Sequence, residues 1–310
     1  MHTSSSPDSA SLVCLVGPTG TGKTAAALAL ADILPVSVIN ADSRQIYRDF
    51  PIATAQPSEE ERSRCPHVLY GFVSTEDALG AGEYARLAGE EIEEVQTRGR
   101  LPVLVGGTGL YLRALLEGIA PIPEIPSQIR EYWQQRCREE GSAELYSLLA
   151  EYDPVYAAKI HPNDRQRITR ALEVRETTGK NFSCWHAAPL SGPARPALKA
   201  GISLPLPELE PLLDRRIDLM MQAGALDEAR EALRRCPDPA PGWSGIGCAE
   251  LRSHLLGETS FDECRSLWLK NTRAYAKRQL TWFRADREIR WFSPNRTEEL
   301  VEYIAEGLNL

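Results

Sequence analysis

The stretch Gly17-Pro18-Thr19-Gly20-Thr21-Gly22-Lys23-Thr24 decides the fold. Its G-x-x-x-x-G-K-[ST] spacing is that of a phosphate-binding P-loop, and its flanks supply the context the motif needs. Residues 12–16 before it are apolar and partly β-branched, and read as a buried parallel strand. Residues 25–34 after it are rich in Ala and Leu and read as a helix ended by Pro35. In that setting the glycines let main-chain N–H groups turn toward phosphate oxygens. The helix N-terminus adds partial positive charge. Lys23 adds a full charge, and Thr24 a hydroxyl for phosphate or Mg²⁺. The group attached to the bound phosphate is not written in the loop.

Working outward, residues 36–40 and 102–105 read as further buried strands, and residues 81–96 as a helix with Glu and Arg on one side. Residues 200–204 look like a returning core strand, and the chain from about Pro207 reads as helical. Strands alternating with helices predict an α/β fold, a P-loop NTPase-like parallel sheet with helices on both faces. Composition changes at the stiff run Pro121-Ile122-Pro123-Glu124-Ile125-Pro126. Helices without strands follow, up to a Pro/Gly/Ser stretch at 189–196. The expected organisation is a catalytic core of 12–123 and 196–310, with a mostly helical insertion of 124–195.

The 310 residues are 43% hydrophobic and 25% charged, as in ordinary globular proteins. No run of 18 apolar residues occurs, which argues against a membrane helix. Residues 1–11 are Ser-rich, lack a secretory pattern and read as a disordered tail. Seven scattered cysteines with no C-x-x-C pair argue against zinc and disulfides and for reduced thiols in the cytoplasm. The net charge of −8 argues against a nucleic-acid partner, but it is an average. Base concentrates at 159–180 and 265–290, and in the second run Trp268, Tyr275, Trp282 and Phe283 interleave the cations. Such a run suits either a solvated helix face or a nucleic-acid surface.

Two more strand ends carry chemistry. Asp42 follows the second strand and so shares an edge with the P-loop, where a carboxylate serves as general base or metal ligand; it also suits a helix N-cap. Thr108, among Gly106, Gly107 and Gly109, offers a hydroxyl where glycines leave room for close approach. In His161-Pro162-Asn163-Asp164, the last two residues can cap a helix carrying Gln166 and Arg170 one turn apart. Arg215 and Arg216 lie on another helix, from which one could reach a pyrophosphate. The five histidines show no H-x-x-x-H, and none is assigned to a metal.

Taken in order, GPTGTGKT (17–24), INADSRQIY (39–47), PVLVGGTGLYLRALLEG (102–118), KIHPNDRQRITRALEV (159–174), RIDLMMQAGALDEAR (216–230) and TRAYAKRQLTWFR (272–284) resemble the tRNA dimethylallyltransferases, bacterial type without a zinc finger. The resemblance covers nearly the whole chain. It implies transfer of a dimethylallyl group from its diphosphate to N6 of the adenosine 3′ of the anticodon, in tRNAs reading codons that begin with U. It makes Asp42 the general base. The N–H groups of 19–24, with Gly17, Pro18, Lys23, Thr24, Thr108 and Arg216, would hold the leaving diphosphate, and Mg²⁺ at Thr24 would help. It implies tRNA contacts at Asp42, Ser43, Arg44, Gln45, Thr108, Arg130, Gln166, Arg167, Ile168, Thr169, Arg170, Arg273, Lys277, Arg278 and Gln279. A monomer is expected.

The chain departs from the family pattern at several points. Gln56 stands where the family has lysine, Leu212 where it has a second arginine, and Cys248 in the usual I-G-Y-[KR]-E. The stretch 70–90 lacks the usual paired histidines. Other readings share the P-loop and Asp42: an adenylate (AMP/ATP) isopentenyltransferase of cytokinin type, a P-loop small-molecule kinase, or a non-enzymatic tRNA-binding module. The basic block at 272–284 beside a helical insertion favours the tRNA enzyme.

Overall fold

A computed structural model describes residues 11–309. The chain divides into two compact units, one reaching Leu116 and resuming at Ala194, the other Glu117–Pro193. The sequence places these changeovers at 124 and 195.

The first unit opens with β1 (Val13–Val16), α1 (Lys23–Ala31), β2 (Val36–Asn40), α2 (Glu59–Arg64), β3 (His67–Val68), α3 (Ala81–Thr97), β4 (Leu101–Gly106) and α4 (Gly109–Leu116). The second holds α5 (Ser127–Glu139), α6 (Ser142–Tyr152), α7 (Pro154–Ala157), α8 (Arg165–Thr178) and α9 (Phe182–Ala187). The first then resumes with β5 (Leu198–Ile202), α10 (Leu206–Gln222), α11 (Ala225–Arg235), α12 (Cys248–Leu255), α13 (Phe261–Arg284), β6 (Arg290–Phe292) and α14 (Thr297–Gly307).

The six strands form one parallel sheet in the order β3-β2-β4-β1-β5-β6. Every residue of β1 and β2 is buried, as expected of central strands covered on both faces. One face packs Cys14, Ile39 and Leu104 against Tyr84 of α3 and Tyr111 of α4, whose rings stack at 4.0 Å. The other packs Val13, Leu15, Val38 and Val103 against α1 and α14. A further core joins Ile46 and Phe50 to α11, α12 and Trp268 of α13. Helix α13 starts at a capping box between Ser260 and Glu263.

Two strands escape the sequence reading. β3 has two residues and β6 three, too short to show a period, and β6 corrects the expectation that everything beyond Pro207 is helical. The returning strand lies at Leu198–Ile202 rather than 200–204. Of the expected tail at 1–11, only Ser11 lies within the described residues. All seven cysteines are free thiols, six of them buried. No described helix is long and apolar enough to cross a membrane.

The second unit has its own core. Ile168, Ala171 and Leu172 of α8 pack with Trp133 and Cys137 of α5 and Leu145 and Leu149 of α6. The i, i+3, i+4 spacing on α8 is that of one helix face.

Candidate active site

Because β2, β4 and β1 are parallel neighbours, their carboxyl ends lie side by side. Ligand crevices of open α/β sheets form at such ends. A cavity of about 810 Å³ opens there, lined by Thr19, Gly20, Gly22 to Ala25, Asp42, Gln45, Val105, Gly106 and Arg216, among others.

Gly20 and Gly22 hold φ of 80° and 84°, a left-handed backbone suited to glycine. The Thr21 hydroxyl donates to Pro18 O at 2.9 Å and closes the loop on itself. The N–H groups of residues 20–24 make no hydrogen bond among the described residues. Unpaired donors at a helix N-terminus are an anion site. Lys23 Nζ donates to Gly17 O at 2.9 Å and Pro18 O at 2.7 Å. Burial pushes its pKa down to about 8, with Asp42 opposing and Arg216 adding to the shift. An arriving diphosphate would favour the charged amine again.

Thr19 departs from expectation. Its N–H donates to Gln279 Oε1 at 2.9 Å, so it is not offered to an anion. Gln279 Nε2 in turn donates to Gly107 O at 3.0 Å. Only 4% of Gln279 is exposed, and both ends of its amide are engaged. Expected at the RNA, it stands here as a buried strut between the P-loop and the end of β4. A Cβ on Gly107 would lie 1.9 Å from Gln279 Nε2, so the strut requires glycine there.

Asp42 is held by its neighbours. Buried Asn40 accepts the Asp42 N–H at 2.9 Å and donates to Asp42 O at 3.0 Å. Asp42 Oδ1 accepts the Arg44 N–H at 2.8 Å, while Oδ2 has no hydrogen bond among the described residues. Thr108 joins the ends of β4 and β2: its N–H donates to Ala41 O, and its hydroxyl accepts the Ser43 N–H at 2.9 Å and donates to Ser43 Oγ at 3.2 Å. Tyr275 of α13 stands beside Thr108 and Asp42. Burial and then Asp42 push its phenol up to about 12.

Arg216 of α10 lines the cavity half-buried and makes no hydrogen bond or ion pair among the described residues. Burial lowers its pKa, while Asp42 raises it. Arg215 is exposed. Gln45, expected at the RNA, donates to Thr54 O at 3.1 Å and Ala55 O at 2.5 Å and so braces the cavity wall. Arg44 donates to Ser244 Oγ at 2.8 Å. On α13, Arg273 pairs with Glu210 at 3.2 Å, whereas exposed Lys277 and Arg278 have no ion pair among the described residues. Gln56, in the usual lysine's place, donates its amide to Tyr47 O at 2.7 Å; Leu212 is exposed and Cys248 buried.

Within the second unit, exposed Arg130 and Gln166 suit an outside partner, as does Arg167, although it pairs with Asp164 at 2.8 Å. Arg170 pairs with buried Glu173 at 3.4 Å. Ile168 and Thr169 are 0% and 8% exposed, and the Thr169 hydroxyl donates to Arg165 O at 3.0 Å. Both are expected at the RNA, and both are buried within the helical unit. The sequence reading misses Asn40, Tyr275 and the strut role of Gln279. A polar residue at the end of a buried strand was the available signal for Asn40, and helical spacing beside the apolar Ala276, Leu280 and Phe283 was the signal for Gln279.

A parallel sheet, a P-loop with unpaired N–H groups, and a carboxylate with a spare oxygen define a P-loop α/β protein with a candidate anion site beside a carboxylate. The chain matches the family described as IPP transferase over residues 45–286, and that described as isopentenyl transferase over residues 10–79. It is 57% identical over 298 residues to a tRNA dimethylallyltransferase of Nitratidesulfovibrio vulgaris, covering 96% of each chain. A relative with the same description from Oleidesulfovibrio alaskensis is 56% identical, over 95% of this chain and 98% of its own. A tRNA isopentenylpyrophosphate transferase structure from Bacillus halodurans shares 32% identity over 97% of both chains, with a TM-score of 0.71. A eukaryotic dimethylallyltransferase captured acting on tRNA superposes at TM-score 0.76 with 26% identity, over 91% of this chain and 73% of its own. The chain belongs to the tRNA dimethylallyltransferase family.

Proposed function

We propose that this chain transfers the dimethylallyl group of dimethylallyl diphosphate to N6 of the adenosine 3′ of the anticodon, in tRNAs reading codons that begin with U, and releases diphosphate. The observation that carries this reading is one cavity lined by Gly20, Gly22, Lys23 and Thr24, whose N–H groups are unpaired among the described residues, with Arg216 and Asp42, whose Oδ2 is unbonded.

An allylic diphosphate reacts as its carbon–oxygen bond lengthens and negative charge collects on the leaving group. Preorganised donors stabilise that charge more than they stabilise the ground state. The N–H groups of 20–24 and the side chains of Lys23 and Arg216 are those donors. Asp42 Oδ2 takes the proton from the adenine amine as the new carbon–nitrogen bond forms. Thr108, held through Ser43, and Tyr275 border the adenine.

Mg²⁺ fits this site. The Thr24 hydroxyl has no hydrogen bond among the described residues, and Thr24 lines the cavity. Mg²⁺ favours a few protein oxygens with substrate phosphates and water. Bound there, it would neutralise diphosphate charge.

The target adenosine must leave its stack, at a cost of about a few kcal/mol, which is lower in a loop than in a duplex. Ser43, Arg44, Arg273, Lys277 and Arg278 in the first unit serve the RNA, as do Arg130, Gln166, Arg167 and Arg170 in the second. The adenylate-prenylating alternative needs neither set. Labelled dimethylallyl diphosphate offered with unmodified tRNA, AMP or ATP separates the readings. Label is expected on the tRNA; label on AMP alone overturns the proposal.

A further inference from the structure

The cavity has a wall that owes nothing to the P-loop. Pro51, Ile52, Thr54, Ala55, Gln56 and Pro57 line it, yet this segment is neither helix nor strand. Its own main-chain hydrogen bonds are local turns, Thr54 N to Phe50 O, Ala55 N to Ile52 O and Gln56 N to Pro51 O. Ala55 sits at φ 53°, a backbone that a Cβ disfavours and that surroundings must impose. Glu228 of α11, 176 positions from Ile52 in the chain, supplies part of that imposition. Its Oε2 accepts the Ile52 N–H at 2.7 Å and its Oε1 the Ala53 N–H at 2.8 Å. Helix α11 follows α10 across Gly224, and α10 brings Arg216, Leu219 and Met220 to the same cavity, with Ala223 just past its end. One carboxylate therefore ties together two cavity walls that no sheet ladder connects.

We propose that Glu228 is a positioning residue for the prenyl donor: its carboxylate holds segment 51–57 so that Ile52 and Met220 border the dimethylallyl chain while Arg216 meets the diphosphate. This rests on reading the cavity as the donor site. The clamp needs the anion. An ionised carboxylate accepts from both N–H groups, whereas a protonated one turns a hydroxyl toward one of them. Burial is the main force that raises the Glu228 pKa, to about 7; the two N–H groups oppose it and Asp49 adds to it. Asp49 is itself held by the Thr75 hydroxyl at 2.7 Å and by Arg235 at 3.4 Å. Burial raises the pKa of the Cys248 thiol of α12, and Glu228 in turn adds to that rise.

The test uses the full chain as wild type, Glu228→Gln and Glu228→Ala. It measures kcat and donor KM with saturating tRNA, and binding of dimethylallyl diphosphate by calorimetry. Glu228→Ala is expected to raise donor KM about tenfold with kcat nearly unchanged, the loss of two charge-assisted hydrogen bonds. The wild-type donor KM should climb as pH falls through about 7, and Glu228→Gln should lack that step. If Glu228→Ala does not fold, the comparison of wild type with Glu228→Gln decides. Unchanged donor KM, a loss confined to kcat, or matching pH profiles would overturn the proposal. Weakened calorimetric binding in the variants, with a wild type that prenylates no tRNA, would uphold the clamp and remove the reaction.

Discussion

Helices α13 and α8 look alike in sequence, each a basic block with a family signature, yet the structure uses their side chains differently. On α13 one face is built into the first unit through Ala276, Gln279, Leu280 and Phe283, while Lys277 and Arg278 stay exposed without an ion pair among the described residues, Arg278 resting over the Tyr275 ring. On α8 the candidates are largely committed already: Ile168 and Thr169 to the helical core, Arg167 to Asp164 and Arg170 to Glu173. The same holds of the units around them. In the first, the N–H groups of Gly20, Gly22, Lys23 and Thr24, Asp42 Oδ2 and Arg216 keep bonding capacity in reserve at a cavity. A basic motif therefore shows where a surface is, and the pairing of each side chain shows what that surface has left to offer.

The harshest way to break this contrast is Asp42→Asn. The amide keeps the turn to the Arg44 N–H through its carbonyl oxygen but cannot take a proton. Turnover should fall about 10²- to 10⁴-fold, the range general bases contribute, with donor affinity little changed. Single-turnover transfer and calorimetric donor binding measure the two. Equal loss of both would mean that the spare oxygen holds the donor or its metal instead.

How much of this was legible turns on the length of each signal. The P-loop announces itself because strand, glycines and helix fall within a short stretch, and the parallel sheet follows from it. β3 and β6 were hidden by brevity. The separate roles of Gln279, Ile168 and Lys277 were hidden for another reason. A family block marks all its residues alike, whereas burial is set by partners far along the chain: Gln279 meets residue 19 from 260 positions away. The wall at 51–57 was illegible for the same reason, since one of its braces, Glu228, belongs to a distant helix.

Gln279→Ala sharpens the contrast next, because it attacks the built-in face of α13 and spares the exposed one. It strands the Thr19 N–H and Gly107 O, groups that rest against the P-loop and the end of β4. Orphaning two such groups costs about 2–6 kcal/mol. Denaturant unfolding should register that loss, and donor affinity should drop with it as the P-loop relaxes. A variant with normal stability and donor binding but poor tRNA binding would return Gln279 to the RNA-contacting set.

The smallest effect is the most direct test of the two helices. Lys277→Ala removes an unpaired cation; Arg167→Ala removes one whose charge Asp164 already balances at 2.8 Å. Each phosphate contact contributes to the salt dependence of RNA binding, with a slope of about 0.7 per charge on single strands. Lys277→Ala should weaken tRNA binding a few-fold and flatten the salt slope by about that amount, while donor binding, which makes no such contact, stays as it was. Arg167→Ala should move the slope less, since freeing Asp164 also changes the local charge. Filter-binding titrations across a salt series read both. If Arg167→Ala proves the more damaging, its ion pair opens when RNA arrives, and the bookkeeping of free and paired cations on the unbound chain no longer ranks the two helices.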